Sequence, residues 1–221
     1  MSAFPLVRHL SVHVTPVLAR LPVSANQITA VSLLAGLASG WCMMQGDRTW
    51  GIIGGVLLVL CYVLDNCDGE IARLKNQTSR FGMHFDTFVD AAVHTFFFAA
   101  LGIGVGETTG EDAWLWLGWI AAAGSAINYV ISIIVDARDR VAEQRADGST
   151  GREAVGQPRT PRGWREWIVF AFRELARADF CFIVLALAVF DLTWALLPVA
   201  AAGAQVYWIT RFVRGAGQYH V

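Results

Sequence analysis

Four aspartates at fixed spacings stand out between residues 65 and 90, in the stretch DNCDGEIARLKNQTSRFGMHFDTFVD. Asp65 and Asp68 are three residues apart, which places them on one face of a helix. Asp86 and Asp90 are four residues apart and share a face of the next helix. The flanking sequence is strongly apolar, and an aspartate in a membrane helix costs about 2.5–3.5 kcal/mol on insertion scales. Four such residues therefore predict a functional site, and their chemistry indicates metal binding.

The number of carboxylates indicates a hard divalent cation. Oxygen ligands of this kind suit Mg²⁺ or Mn²⁺, and four carboxylates can hold two ions about 3.5–4 Å apart. The polar segment from Lys75 to Arg80 is a short connection, which predicts two antiparallel neighbouring helices whose carboxylates meet at one end. Small residues beside the site let a bulky ligand approach the backbone, and these are Gly69, Ala72 and Gly82.

This stretch resembles the signature of the CDP-alcohol phosphatidyltransferases, D-x2-D-G-x2-A-R-x8-G-x3-D-x3-D, at every motif position. Eight specified residues over 26 positions make the match specific. Upstream, Asn26 and Thr29 resemble the N-x-x-T that opens the family's first membrane helix, although Ala25 replaces the usual proline. The motif resemblance covers about residues 24–91, and the rest of the chain agrees in hydropathy.

The resemblance implies an enzyme of phospholipid biosynthesis that moves the substituted phosphate of a CDP-alcohol to an acceptor hydroxyl and releases CMP. It implies two ions of Mg²⁺ or Mn²⁺, and it implies a homodimer. Asp90 is expected to take the proton from the acceptor as well as to contribute to the metal site. The expected metal ligands are Asp65, Asp68, Asp86 and Asp90, and the expected CDP-alcohol contacts are Asp65, Asp68, Gly69, Ala72, Arg73, Gly82 and Thr29.

Other readings of the aspartates stay open. A membrane prenyltransferase also uses aspartate clusters with Mg²⁺, but it needs a second aspartate-rich motif, and no D-x3-D spacing occurs outside residues 65–90. A carboxylate-based cation transporter is the non-enzyme alternative, and it gives no reason for Gly69, Ala72 and Arg73. Within the family, the donor is CDP-diacylglycerol with a polar acceptor such as an inositol-phosphate-like polyol, or a CDP-linked polar alcohol with a lipid or polyol acceptor.

Composition predicts an all-α polytopic membrane helix bundle in a single domain, 1–221. The 221 residues are 55% hydrophobic with a mean hydropathy of +0.47, too apolar for a soluble domain of this size. The N-terminus has no apolar run with a cleavage site, which predicts no cleaved signal peptide. We predict a juxtamembrane segment at 1–26 with an interfacial helix near 4–20, and a cytoplasmic loop at 137–163. Six transmembrane helices are predicted, at 27–45, 50–72, 82–105, 113–136, a fifth beginning near Trp167, and 194–213.

The fifth span is ambiguous, because only Phe180 to Phe190 is purely apolar. The span either begins near Trp167 and turns a charged stripe inward, or a surface helix precedes a short span.

Glycines four residues apart predict close helix packing at Gly36 and Gly40 and at Gly51 and Gly55. Cysteines without paired spacing are predicted to be packing residues: Cys42, Cys61, Cys67 and Cys181.

Charge predicts the orientation in the membrane. Of the 17 basic residues, 16 lie near the termini, the loop after the second span, or 138–177, and only Arg48 lies on the other side. The positive-inside rule then places both termini and the carboxylates at the cytoplasmic face of the cell membrane. The loop carries no aromatic pattern typical of nucleic-acid binding.

Several further side chains have a predicted role near this face. His94 continues the Asp86–Asp90 face and is expected to form a hydrogen bond in the bundle rather than to bind metal. Arg173 and Arg177 are expected to hold a phosphate on the acceptor, or else to pair with nearby acids such as Asp179. The full set of acceptor candidates is Arg173, Arg177, Arg138 and Arg211.

Overall fold

The computed structural model describes residues 6–145 and 179–205, and all regular structure within these ranges is helical. The helices are α1 (Leu6–Ala19), α2 (Ala25–Met44), α3 (Arg48–Leu74), α4 (Arg80–Thr109), α5 (Asp112–Arg145), α6 (Phe180–Val189) and α7 (196–205), with a 3₁₀ turn at Thr193–Ala195 before α7.

Four of these helices are long and apolar enough to cross a membrane: α2, α3, α4 and the part of α5 from Asp112 to Val135. They coincide with the predicted spans at 27–45, 50–72, 82–105 and 113–136. The predicted start of the fifth span near Trp167 lies outside the described residues, as does the end of the sixth. The described helix α6 has 10 residues, about 15 Å of helix, which is half of a hydrocarbon core of about 30 Å.

Local capping explains where the spans begin. Ser24 caps α2 in a reciprocal arrangement with Gln27, in which each side chain accepts a hydrogen bond from the other's backbone N–H. Asp47 caps α3, and the Ser79 hydroxyl accepts from Gly82 N at 3.0 Å to cap α4. The predicted loop at 137–163 starts too early, because α5 continues to Arg145. Residues 137–145 contain no glycine or proline and are rich in good helix formers.

Helix α2 packs against both α3 and α4. The backbones of α3 and α4 make few close approaches in the described part of the chain, and these two helices meet through side chains, at the carboxylates and at the bond between Tyr62 and His94. Small residues on α2 allow this packing, because a Cβ at Gly36 would lie 2.4 Å from Val93 of α4 and 3.1 Å from Cys61 of α3. The predicted close packing of Gly36 on its neighbours is therefore confirmed.

The other predicted packing residues have mixed outcomes. A Cβ at Gly40 would lie 2.6 Å from the Phe96 ring, and one at Gly55 would lie 2.9 Å from Leu185 Cα, so both glycines are required for close approach. Gly51 is in ordinary contact only, 3.8 Å from Ala188. All the predicted packing cysteines are free and buried: Cys42, Cys61, Cys67 and Cys181.

Helix α1 is held to the bundle by two carboxylates. The Asp179 carboxylate, fully buried before α6, accepts hydrogen bonds from the backbone N–H groups of Leu6 and Val7 at 2.8 and 2.9 Å. On α3, Glu70 accepts from the hydroxyls of Ser11 and Thr15. Among the described residues, Asp179 therefore bonds the N-terminus of α1, where a negative charge complements the helix dipole.

We expect Gly104→Ala to destabilise the bundle. A Cβ at Gly104 would lie 2.3 Å from the Met43 carbonyl oxygen, a backbone atom that cannot rotate away. Overpacking of this kind costs about 1–3 kcal/mol, so the melting temperature of the detergent-solubilised protein should fall. Gly51→Ala, which places its Cβ 3.8 Å from Ala188, is the matched control and should melt like the wild type. Equal melting of both variants would show that α2 and α4 can separate at little cost.

Candidate active site

Three of the four predicted carboxylates converge. Asp65 and Asp68 lie on the same face of α3, and Asp86 lies near the start of α4. One oxygen of each lies within 4.8 Å of the other two. Asp68 is buried, with 5% of its surface exposed, while Asp65 and Asp86 are half-buried. Because anionic carboxylates at these distances repel one another, the group is suited to share a cation.

Thr29 of α2 orients the most buried of these carboxylates. Its hydroxyl donates a hydrogen bond to Asp68 Oδ2, and Thr29 itself is only 3% exposed. The capped first turn of α2 places this residue over α3. Thr29 is predicted to contact the substrate, and in the structure its hydroxyl contacts Asp68 at the wall of the adjoining cavity. The N-x-x-T spacing was the available signal, but it does not reveal the partner of the hydroxyl.

A cavity of about 490 Å³ adjoins the carboxylates. This volume falls in the range of small-molecule sites in proteins, about 300–1,000 Å³. Of the predicted CDP-alcohol contacts, Thr29, Asp68, Gly69, Ala72, Arg73 and Gly82 line it, and Asp86 does so as well. Lining residues that sequence analysis did not single out as contacts are Ala25, Asn26, Gln77, Thr78, Ser79, Arg80 and Met83.

The N-termini of α2 and α4 both open on this cavity, through Ala25 and Asn26 of α2 and through Ser79, Arg80 and Gly82 at the start of α4. The two ends are tied together, because Gln77 in the α3–α4 connection accepts a hydrogen bond from Ala25 N at 3.0 Å. Helix N-termini carry partial positive charge and favour anions. Together with the exposed Arg73 and Arg80, they give the cavity groups that favour an anion, in addition to the carboxylates of Asp68 and Asp86.

The glycines at the cavity differ in what they contact. For Gly69, the nearest atom to an added Cβ is the Arg73 Nη1, at 3.7 Å, so the protein leaves room there and a side chain would occupy the cavity instead. For Gly82, an added Cβ would lie 3.1 Å from Asn26 Oδ1 and 3.2 Å from Ser79 Oγ. Gly69 thus keeps the wall open for a ligand, while Gly82 also allows α4 to pack beside Asn26.

Asp90 lies outside the group formed by Asp65, Asp68 and Asp86. Its side chain is 66% exposed, and its Oδ1 lies 3.5 Å from His94 Nδ1. The same nitrogen lies 2.7 Å from the Asp90 carbonyl oxygen, and His94 Nε2 lies 2.8 Å from the Tyr62 hydroxyl. This confirms the prediction of His94 as a hydrogen-bonding residue in the bundle. Of the four predicted metal ligands, Asp90 therefore lies apart from the other three in the structure.

The acceptor candidates are described only in part. Arg138 lies on α5 and is exposed, whereas Arg173, Arg177 and Arg211 lie outside the described residues. A second cavity of about 280 Å³ borders His94 and includes Asn128, whose Oδ1 is buried and has no hydrogen-bond partner in the described part of the chain. Small residues form much of its remaining wall, namely Ala121, Gly124, Ala200, Gly203 and Ala204.

The chain is similar in sequence to curated transferases from other organisms. The chain is 31% identical over 122 residues to a bifunctional IPC transferase and DIPP synthase of Thermococcus kodakarensis, covering 55% of this chain and 26% of that protein. It is 35% identical over 65 residues to the CDP-diacylglycerol–serine O-phosphatidyltransferase of Helicobacter pylori, covering 29% of this chain and 26% of that protein. The chain thus spans about a quarter of the length of these relatives.

The fold matches a solved structure, that of Mycobacterium tuberculosis phosphatidylinositol phosphate synthase with CDP-DAG bound. The TM-score is 0.54 and the sequence identity 20%, and the match covers 90% of this chain and 91% of that one. The model of one protein family, described as CDP-alcohol phosphatidyltransferase, matches residues 22–208, which include the carboxylates and the cavity beside them. The chain belongs to the CDP-alcohol phosphatidyltransferase family.

Proposed function

We propose that this protein is an integral-membrane phosphotransferase that moves the substituted phosphate of a CDP-alcohol to an acceptor hydroxyl and releases CMP, in phospholipid biosynthesis. The observation that carries the proposal is the convergence of Asp65, Asp68 and Asp86 beside a cavity lined by the motif residues Gly69, Ala72, Arg73 and Gly82. Carboxylates, arginines and helix N-termini around one cavity suit a nucleoside diphosphate ester, which is anionic and binds divalent cations.

The donor set fits Mg²⁺ or Mn²⁺. Asp65, Asp68 and Asp86 offer hard oxygen ligands within 4.8 Å of one another, and we propose that they hold the metal, with two ions when the substrate is present. Bound ions would neutralise the negative charge that develops on the diphosphate as CMP leaves. The hydrogen bond from Thr29 holds Asp68 in place for this role.

The residues around the cavity bind and orient the donor. Arg73 and Arg80 supply positive charge, and the positive ends of the α2 and α4 helix dipoles also favour the phosphates. Gly69 allows the nucleotide to lie against the α3 backbone, since no side chain projects there. Ala72 and Gly82 extend this open wall along both helices.

Asp90 is the proposed general base. It lies one helical turn after Asp86, and its exposed carboxylate is accessible to an acceptor. It takes the proton of the acceptor hydroxyl as the hydroxyl oxygen bonds to the phosphorus and the bond from phosphorus to the CMP oxygen breaks. The family resemblance also implies a contribution of Asp90 to the metal site, but its carboxylate lies outside the close group of Asp65, Asp68 and Asp86, so we propose the base as its principal role.

The substrates follow from the relatives. We propose CDP-diacylglycerol as the donor, because the Helicobacter pylori relative is named for that donor and the Mycobacterium tuberculosis structure holds CDP-DAG. The acceptor is a polar alcohol, with an inositol phosphate or serine as the first candidates from the same names. A phosphorylated acceptor would be held by arginines among Arg138, Arg173, Arg177 and Arg211. A CDP-linked polar alcohol with a lipid or polyol acceptor is the alternative within the family.

We place the site and both termini at the cytoplasmic face of the cell membrane and infer a homodimer, as the family resemblance implies. The distribution of basic residues supports the orientation, because Arg48 alone lies at the opposite end. Its guanidinium donates to the Val189 carbonyl at 2.6 Å, so the C-terminus of α6 compensates this charge.

The test is CMP release by the purified protein. CDP-diacylglycerol and a CDP-linked polar alcohol are each combined with inositol phosphate, inositol or serine in the presence of Mg²⁺. We expect CMP to form only when both a donor and an acceptor are present. Cation flux into liposomes without CMP release from any pair would instead support the transporter alternative.

A further inference from the structure

We propose that His94 and Tyr62 are positioning residues for Asp90, a role that rests on the proposed function of Asp90 as the base. The three residues form a continuous chain of contacts from α3 to α4. Tyr62 Oη lies 2.8 Å from His94 Nε2, and His94 Nδ1 lies 2.7 Å from the Asp90 carbonyl oxygen and 3.5 Å from its Oδ1.

The direction of the hydrogen bonds follows from the chemistry of each atom. The Asp90 carbonyl oxygen can only accept, so His94 Nδ1 must carry the proton. In the neutral imidazole, Nε2 is then the acceptor, and the Tyr62 hydroxyl donates to it. The Nδ1–H group therefore donates to the Asp90 carbonyl oxygen, and the carboxylate Oδ1 of the same residue lies on the same side of the ring.

This arrangement compensates for the exposure of Asp90. Its side chain is 66% exposed, whereas the His94 side chain is 26% exposed and partly held in the bundle. The imidazole also packs against Tyr62 and Phe180, with ring centroids 6.0 Å away in both cases. A ring fixed on several sides limits the rotation of a carboxylate that would otherwise sample many orientations in solvent.

The chain also connects the two halves of the site. Tyr62 lies three residues before Asp65 on α3, and His94 lies four residues after Asp90 on α4. Because the backbones of α3 and α4 make few close approaches in the described part of the chain, this side-chain bond helps to fix the distance between them. Loss of the bond should therefore affect the base and spare the nucleotide cavity at the opposite end of the motif.

Two amide substitutions separate the roles of the ring nitrogens. In His94→Asn the amide nitrogen takes the approximate place of Nδ1, so the donor toward Asp90 is retained. In His94→Gln the amide group takes the approximate place of Nε2, so the partner of Tyr62 is retained and the donor toward Asp90 is lost. We expect His94→Gln to lower kcat about tenfold, the rate change for one net hydrogen bond, with the donor KM within about twofold of wild type.

The remaining variants complete the comparison, which uses CMP release from CDP-diacylglycerol and the best acceptor of the panel. His94→Asn and Tyr62→Phe each break the bond between these two side chains but keep an N–H donor toward Asp90, so each should lower kcat by no more than about threefold without changing the donor KM. The matched controls are His13→Gln and His13→Asn, because His13 Nδ1 also bonds the carbonyl four residues earlier, at 2.8 Å from His9 O on the exposed side of α1. Both controls should behave like the wild type.

The outcomes distinguish this inference from the proposed function. A wild-type protein that releases no CMP from any pair contradicts the proposed function itself. An active wild type whose kcat is unchanged in His94→Gln overturns the positioning role alone. Equal losses in His94→Gln and His94→Asn, with a raised donor KM and a lower melting temperature, would also overturn it, because they indicate a purely structural histidine.

Discussion

Replacing Asp68 by asparagine should lower CMP release by about 10²–10³-fold and weaken donor binding as well. Asp68 is the most buried carboxylate of the group and accepts the Thr29 hydroxyl bond, so its geometry is the most closely fixed. An amide of the same shape keeps the packing but removes the charge that a divalent cation requires. The kcat for CMP formation and the affinity for CDP-diacylglycerol in the presence of Mg²⁺ are the quantities to measure.

Glu70→Gln is the matched control for this experiment. Glu70 lies two residues after Asp68 on the same helix, but its oxygens accept from Ser11 and Thr15 of α1, at 3.3 and 2.5 Å. Removing its charge leaves the cavity unchanged, so donor affinity should stay at the wild-type level even if the protein melts somewhat earlier. Equal loss of donor binding in both variants would mean that general weakening of α3, rather than the metal site, explains the Asp68 result.

Asp90→Asn should abolish turnover while donor binding stays near the wild-type level. The variant removes the proton acceptor, and general base catalysis contributes about 10²–10⁴-fold to a rate. Asp90 lies outside the close carboxylate group and does not line the 490 Å³ cavity, so the donor keeps the contacts described for it. Single-turnover CMP formation and CDP-diacylglycerol binding, measured on the same preparation, separate the two effects.

A different pattern would reassign the roles. If Asp90→Asn loses donor binding as completely as Asp68→Asn does, Asp90 is principally a metal ligand in the complex and the base must be sought elsewhere. Asp112→Asn is a suitable control, because this carboxylate lies in the first turn of α5 at the opposite end of the bundle. It should change neither quantity.

The site was predictable where the relevant residues lie close together in the sequence. The spacing of Asp65 and Asp68 specifies a common face of α3, and the short polar connection brings Asp86 back to the same end. The bond from Thr29 to Asp68 joins residues 39 positions apart and depends on α2 packing between α3 and α4. Local periodicity does not contain that information, so the orienting role of Thr29 emerges only from the packed bundle.

The same reasoning applies to Asp179. It accepts from Leu6 N, 173 residues away, because a helix N-terminus needs acceptors for its N–H groups. Its predicted partners Arg173 and Arg177 lie outside the described residues. Only some of the glycines that set the spacing between helices can be predicted from the sequence. Gly36 belongs to a G-x3-G pattern, whereas Gly104 contacts Met43 without belonging to one. The predicted loop begins too early at 137 because charged residues mark a membrane boundary and still favour helix, so α5 continues to Arg145.

The most direct test of the metal-dependent site is CMP release from CDP-diacylglycerol and its acceptor as a function of divalent cation. Asp65, Asp68 and Asp86 alone would repel a diphosphate, since their oxygens lie within 4.8 Å of one another and carry the same charge. We predict no CMP above background in excess EDTA and full recovery when Mg²⁺ or Mn²⁺ is restored. Undiminished CMP release in excess EDTA would contradict the assignment of these carboxylates as a metal site.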